Sequence, residues 1–207
     1  MRPIRPQQGF TVIEMTVVMV VLALMLALAV PNVGGWLRNI RIRNQAESIQ
    51  NGLQQARAEA VRRNTPVSFW LVTLNDPTQM DNSCAVSSSG TSWVVSLDAP
   101  DGQCDSAPDA NNRPRLVSAH NAGDGGGTVR ITGLQSDGSS QASSVTFDAF
   151  GRVSATGTDL QYITVAYAQA DARTDDRPLR VEISAAGSVR MCDPQVRSPD
   201  ARVCTFP

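Results

Sequence analysis

The chain has no lysine and a single histidine, His120. Its cations are therefore arginines, and finding arginine at any one position says nothing in itself about bidentate recognition. One imidazole in a Gly/Asn-rich loop, with no nucleophile motif beside it, is no catalytic set. The sequence reads as a non-enzyme, with His120 a solvent-exposed structural residue. No Cys-x-x-Cys pair occurs, and four widely spaced cysteines with one histidine do not make a zinc set. Asp98, Asp101, Asp105 and Asp109 share a loop but fit no twelve-residue calcium pattern. Asp124-Gly-Gly-Gly lacks the lysine and the helix of a phosphate loop. No metal and no cofactor is expected. Charge itself is missing from one stretch: between Met15 and Leu37 nothing ionises.

That stretch organises the rest. Residues 9 to 37 run GFTVIEMTVVMVVLALMLALAVPNVGGWL, with Glu14 their one charge. A helix needs roughly 20 apolar residues to cross a bilayer core. Residues 17–30 are apolar on every face of a helix, so a membrane helix is expected. Glu14 is anomalous there, because a carboxylate at the middle of a membrane helix costs about 2.5–3.5 kcal/mol. In the first turns it would lie near the interface, where the helix dipole favours an anion. A cut after Gly9 would leave a new amino terminus one turn from that carboxylate, able to pair with it or with a neighbour's.

These residues carry a resemblance. The segment RPQQGFTVIEM resembles the cleavage and methylation motif of type IV prepilins and type II secretion pseudopilins. The resemblance implies cleavage after Gly9 by a prepilin peptidase and N-methylation of Phe10. It makes Glu14 the assembly glutamate, and it matches Pro31 to the family's helix-bending proline. Residues 1–9 are then a leader.

The 207 residues leave room for one globular domain beyond the apolar run. From Arg38 to Arg63 six arginines face Glu47 and Glu59, a balance of +4. From Asn64 onward ten arginines face fifteen aspartates and Glu182, a balance of −6, which argues against a broad nucleic-acid surface. The cysteines form two sequence-local pairs, and an even count beside a membrane segment fits an oxidising compartment such as the periplasm. Three connectivities are open. Cys84–Cys104 with Cys192–Cys204 is preferred, since each closes a loop rich in turn residues. Arg2, Arg5 and the initial amine before the apolar run balance Arg38, Arg41 and Arg43 after it, so the positive-inside count is a draw. The cysteines and the resemblance place the head outside.

Pro31, Gly34 and Gly35 predict a bend or a short unwound segment. Beyond them Ile42, Ala46, Ile49, Leu53, Ala56 and Ala60 recur at alternating steps of four and three. This is one apolar stripe, predicted to dock the helix on its own head. Arg43, Asn44, Glu47, Asn51, Gln54 and Arg57 mark the polar face. After Pro66 strands are predicted at 67–72, 93–97, 115–118, 128–132, 145–150, 162–167, 179–183 and 188–191. Polar loops are predicted at 73–91, 99–112 and 121–127, and a hairpin turn at Ala186-Gly187-Ser188.

The strand-type head, FDAFGRV at 147–153 and the terminal SVRMCDP…C resemble the minor-pilin and pseudopilin branch of FimT, FimU and GspH. The fold this implies is α+β and ladle-like, a long N-terminal helix with a membrane half and an amphipathic half on an antiparallel β head. The divisions are a leader (1–9), a transmembrane and assembly helix (10–37), an amphipathic helix (38–64) and a periplasmic β-rich head (65–207). Some FimT-like proteins bind DNA through a C-terminal Gly-Arg-x-Arg motif, of which Gly187 and Arg190 match the first and last residues. Weak DNA binding through Arg190, Arg197 and Arg202 is thus an alternative, against ordinary surface ion pairs with the nearby carboxylates. The resemblance implies a minor pilin taking part in type IV pilus assembly, in the tip or priming complex, with a type II secretion pseudopilin as the other reading. Partners would be the prepilin peptidase, other major and minor pilins or pseudopilins, and the bacterial inner membrane, spanned once.

Overall fold

A computed structural model describes residues 9–108, 111, 113–123, 126–154, 156–168 and 174–205, with only the helical backbone described for 28–33. Leader residues 1–8, with Arg2 and Arg5, lie outside the described residues. So do Asp109, Asp124, Asp171 and Arg173, and the side chain of Pro31.

One helix, α1, covers Val12–Arg63. It continues through Pro31, Gly34 and Gly35, so the unwound segment expected there does not occur. A proline removes a single donor from the ladder, and the flanking turns keep theirs. The chain divides after Leu37 into two compact units. In the first, every described side chain from Val12 to Ala27 is exposed, on all faces of the helix. Among the described residues no helix is long and apolar enough to cross a membrane.

The second unit begins at Arg38 and holds the rest of α1 together with all the strands. The amphipathic part of the helix is therefore part of the head's own core. Ile42, Ala46, Ile49, Leu53, Ala56 and Ala60 are all fully buried. Three of the six are alanines, which bring the helix close to the strands. At Gly52 an added Cβ would stand 2.8 Å from the Trp93 ring. Trp93 in turn donates from Nε1 to Ser48 Oγ at 3.0 Å, fixing the helix in register.

Two antiparallel sheets receive this stripe. The first comprises β1 (Val67–Thr73), β2 (Ala85–Val86), β3 (Ser92–Ser96), β4 (Leu116–His120) and β6 (Ser144–Phe147). Its order is β2-β1-β3-β4, with β6 also paired to β1. The second runs β5-β7-β8-β9, from β5 (Val129–Leu134), β7 (Tyr162–Tyr167), β8 (Leu179–Ile183) and β9 (Val189–Cys192). Phe69, Leu71, Val95, Val145 and Phe147 of the first sheet and Ile131, Ile163, Val165, Val181 and Ile183 of the second join the helix stripe in one core. The architecture is α+β.

The strands depart from the sequence reading in several details, and β4 runs on to His120, which the sequence placed in a loop. β2 lies inside the stretch read as loop, because Val72 and Thr73 extend β1 far enough to pair with Val86 and Ala85. The strand read as 145–150 ends at Phe147. Asp148 ends it: its carboxylate accepts the backbone N–H of Phe150 and Arg152, each at 2.9 Å, and closes a tight turn. Gly151 holds that turn at φ 72°, where a side chain would be strained.

A smaller cluster of Val72, Cys84, Val94, Cys104 and Leu116 packs apart from the main core. Here the Cys84–Cys104 bond ties together the loops on either side of β2 and β3.

Candidate functional site

The N-terminal segment is built by one cap. Thr11 Oγ1 accepts the N–H of Glu14 at 3.3 Å, and Thr11 O accepts that of Met15 at 3.2 Å. A Thr-x-x-Glu sequence at this place is the pattern of a helix N-cap. Gly9 and Phe10 therefore precede the helix in non-helical chain, and Phe10 is 81% exposed. Glu14 stands in the first turn, also exposed, where the helix dipole favours its charge. The arrangement offers an accessible Gly9–Phe10 peptide bond. An amine freed at Phe10 would lie about one helical turn before the Glu14 carboxylate. The exposed aliphatic surface beyond it has no cover among the described residues of its own chain, and contiguous apolar surface of this kind marks a contact with lipid or protein.

Two of the three C-terminal arginines singled out in the sequence, Arg190 and Arg202, are engaged in ion pairs with nearby carboxylates. Arg190 on β9 donates from Nε and Nη2 to Glu182 Oε2 at 3.0 and 2.8 Å. Glu182, 2% exposed on β8, also accepts the N–H of Thr205 at 2.9 Å. Arg190 reaches Val203 O and the Thr205 hydroxyl as well, so it fastens the C-terminal segment to the sheet. Arg202 forks onto Asp200 at 3.1 and 2.8 Å and holds that carboxyl down at about 2. Arg197 is exposed and, among the described residues, forms no ion pair. Gly187, the other residue matched to the DNA-binding motif, has a packing role. Its φ is 78°, and a Cβ there would meet Gly151 O at 1.9 Å. The Cys192–Cys204 bond closes the same region. Glu182, Cys192 and Cys204 place their ligand atoms within 4.8 Å of one another, but the two sulfurs are bonded and offer no thiolate.

His120, Asp98 and Asp101 each contact a neighbouring element. His120 ends β4 with its ring 5.3 Å from that of Trp93. Asp98 is gripped by Arg115, whose guanidinium holds the carboxyl at about 2. Asp101 accepts the N–H of Val86 at 2.7 Å and so supports β2.

Sequence reasoning missed a clasp at the start of the head. Arg38, placed by sequence only among the basic residues after the apolar run, is buried. Its Nε donates to the buried Asp176 at 2.6 Å, and its Nη2 to Asp175 at 3.2 Å. Its guanidinium also lies over the Tyr167 ring, 5.6 Å from the centroid. Asn39 adds two bonds, donating to Asp175 O and accepting from the Arg177 N–H. The paired aspartates at 175–176 were the available signal. Arg57, assigned to the polar face, is partly buried and donates to Gly151 O at 2.9 Å, tying the helix to the Asp148 turn.

A family model for the type II transport protein GspH matches residues 45–187, and one for the prokaryotic N-terminal methylation motif matches residues 4–30. Two crystal forms of the type IV minor pilin FimU from Pseudomonas aeruginosa are similar in structure, each at 21% identity over 74% of this chain. They are covered to 97% and 92% of their own lengths, with TM-scores of 0.42 and 0.44. No curated relative matches the chain. The GspH model spans well over half of the sequence, from the packed part of α1 to the turn before β9, and the chain belongs to that family of minor pilins and pseudopilins.

Proposed function

We infer that this chain is a minor pilin made as a precursor, cut after Gly9 by a prepilin peptidase and N-methylated at Phe10. It then takes part in type IV pilus assembly, in the tip or priming complex. The observation that carries this is the joint state of residues 9–27: an exposed non-helical Gly9–Phe10 bond leads into a capped helix whose apolar side chains are exposed on every face. Before assembly, the apolar run of 15–37 holds the subunit in the inner membrane as a single pass with the head in the periplasm. In the filament the same surface packs among other pilin helices. Glu14 then pairs with the amino terminus of a neighbour, because an unpaired charge in an apolar bundle is expensive. The head brings its disulfides and a self-contained core, which suits an oxidising compartment.

The match of the GspH model favours a second reading, in which the same subunit joins the pseudopilus of a type II secretion system. Deleting the gene separates the two: loss of surface filaments supports the pilus, whereas loss of a secreted enzyme with filaments intact supports the pseudopilus. The processing reading is tested by mass spectrometry of the membrane-purified protein. A mature chain starting at methylated Phe10 is expected, and an intact Met1 or a cut beyond Val30 would refute it.

A further inference from the structure

Asn39 and Arg43 of α1, Arg177, Leu179 of β8, Met191 of β9 and Arg202 line a cleft of about 330 Å³. Three arginines thus line one small concavity together with Leu179 and Met191, and Asp193 is the single acidic residue lining it. The arginines retain capacity. Arg43 is 71% exposed and engages Glu47 through Nε, in an i,i+4 surface pair of the kind worth little. Arg202 spends Nε and Nη2 on Asp200 and is 62% exposed. The Arg177 guanidinium forms no ion pair among the described residues. Its backbone is nevertheless fixed, since its N–H donates to Asn39 Oδ1 at 2.8 Å beside the Arg38–Asp176 clasp. One free and two half-engaged arginine forks around an apolar lining suit an anionic amphiphile. Arginine matches the geometry of phosphate oxygens, and Leu179 and Met191 suit the carbon next to them.

We propose that this cleft binds the phosphodiester headgroup of an anionic phospholipid. The proposal rests on the anchoring reading, and the sequence supplies the reason for choosing lipid. Asn39 and Arg43 are among the first residues after the uncharged run ends at Leu37, where an anchored helix leaves the bilayer and meets its headgroups. A free phosphate would leave the apolar lining unused. A nucleic-acid backbone likewise offers no acyl chain to the Leu179 and Met191 lining. Arg43 and Arg177 are the residues that recognise the ligand, and Arg202 closes the third side.

The test uses the full-length processed chain in neutral detergent, with native mass spectrometry counting bound molecules. Phosphatidylglycerol, phosphatidylcholine, inorganic phosphate and a short DNA duplex are the probes. One retained phosphatidylglycerol is expected, at about tenfold preference over phosphatidylcholine. The Arg43→Gln/Arg177→Gln double variant should lose about tenfold of that retention, equivalent to roughly 1.4 kcal/mol. Arg113→Gln, an exposed arginine outside the cleft, should retain lipid as the parent does. Equal retention of the two lipids, or undiminished binding by a double variant with the parent's unfolding midpoint, overturns the proposal. Displacement of the lipid by equimolar inorganic phosphate or by the duplex overturns it in favour of a free-anion or nucleic-acid site. If the chain fails to fractionate with membranes, the anchoring reading falls. If it does fractionate but shows no lipid preference, only the cleft assignment falls.

Discussion

The first and last thirds of α1 are both rich in apolar residues and behave in opposite ways. From Val12 to Ala27 valine, leucine and methionine occupy every face of the helix, and all are exposed. From Ile42 to Ala60 the apolar residues of the stripe keep to one face, three of the six are only alanine, and every one is fully buried. Burial here follows pattern more than quantity. A stripe can be covered by two sheets of the same chain, whereas a helix apolar all round needs a second medium, lipid or other helices. The head therefore stands on its own contacts, whereas the described N-terminal side chains have none from their own chain to cover them.

This contrast can be broken most sharply where the packed region begins. Replacing Arg38 with alanine withdraws the guanidinium from a buried carboxylate and should destabilise the head by about 3–5 kcal/mol. Leu37→Ala, one residue earlier, should leave the unfolding midpoint unchanged. Chemical denaturation of the full-length protein in detergent reads both; equal effects would erase the boundary between the regions. Next in size, Leu53→Ala removes a fully buried side chain of the stripe and should cost about 2–5 kcal/mol. Leu24→Ala, in the exposed segment, should cost almost nothing in the same measurement.

A third variant, Cys84→Ala/Cys104→Ala, opens a loop of sequence separation 20 and should lower stability by about 3 kcal/mol. Proteolysis should then begin in the loops around β2, while the helix and the second sheet stay protected. The smallest effect is acid titration. Asp98 sits at about 2 in the fold, below an unfolded value of about 3.9. Its contribution is therefore fully present above about pH 4 and is lost as the pH falls through about 2. An Asp98→Asn variant should show a flatter loss of stability across that window than the parent, and identical acid profiles would dismiss the Arg115 grip as a source of stability.

Most of the fold could be read from the sequence where pattern alone decides. The four-and-three stripe from Ile42 to Ala60 and the alternation in Tyr162–Tyr167 are such cases, because one period serves only one kind of surface. The strand after Val145 was over-extended for the opposite reason. Asp148 has no period, and its effect comes from two backbone N–H groups that only a folded turn presents. The same limit hid the clasp, since Arg38 and Asp176 lie 138 residues apart and nothing local links them. It also concealed the particular partners of Arg190. Sequence set ion pairs with nearby carboxylates beside a motif-like reading of this residue, but could not say that the partner is Glu182 on the adjacent strand or that Arg190 also reaches Val203 O. The Gly9, Phe10 and Glu14 motif was legible because its chemistry is local, a bond, an amine and a carboxylate within about two helical turns.

The central claim is that the exposed N-terminal segment is an assembly surface with Glu14 as its pairing group. It is tested by the ratio of this protein in sheared filaments to that in membranes, for the parent and for Glu14→Ala side by side. Cleavage after Gly9 and membrane insertion should persist in the variant, since removing a charge eases insertion. The filament-to-membrane ratio should fall by roughly two orders of magnitude or more, matching about 3–5 kcal/mol for an amine left unpaired in an apolar bundle. An unchanged ratio would contradict the pairing role and leave Glu14 a tolerated carboxylate at the start of a capped helix.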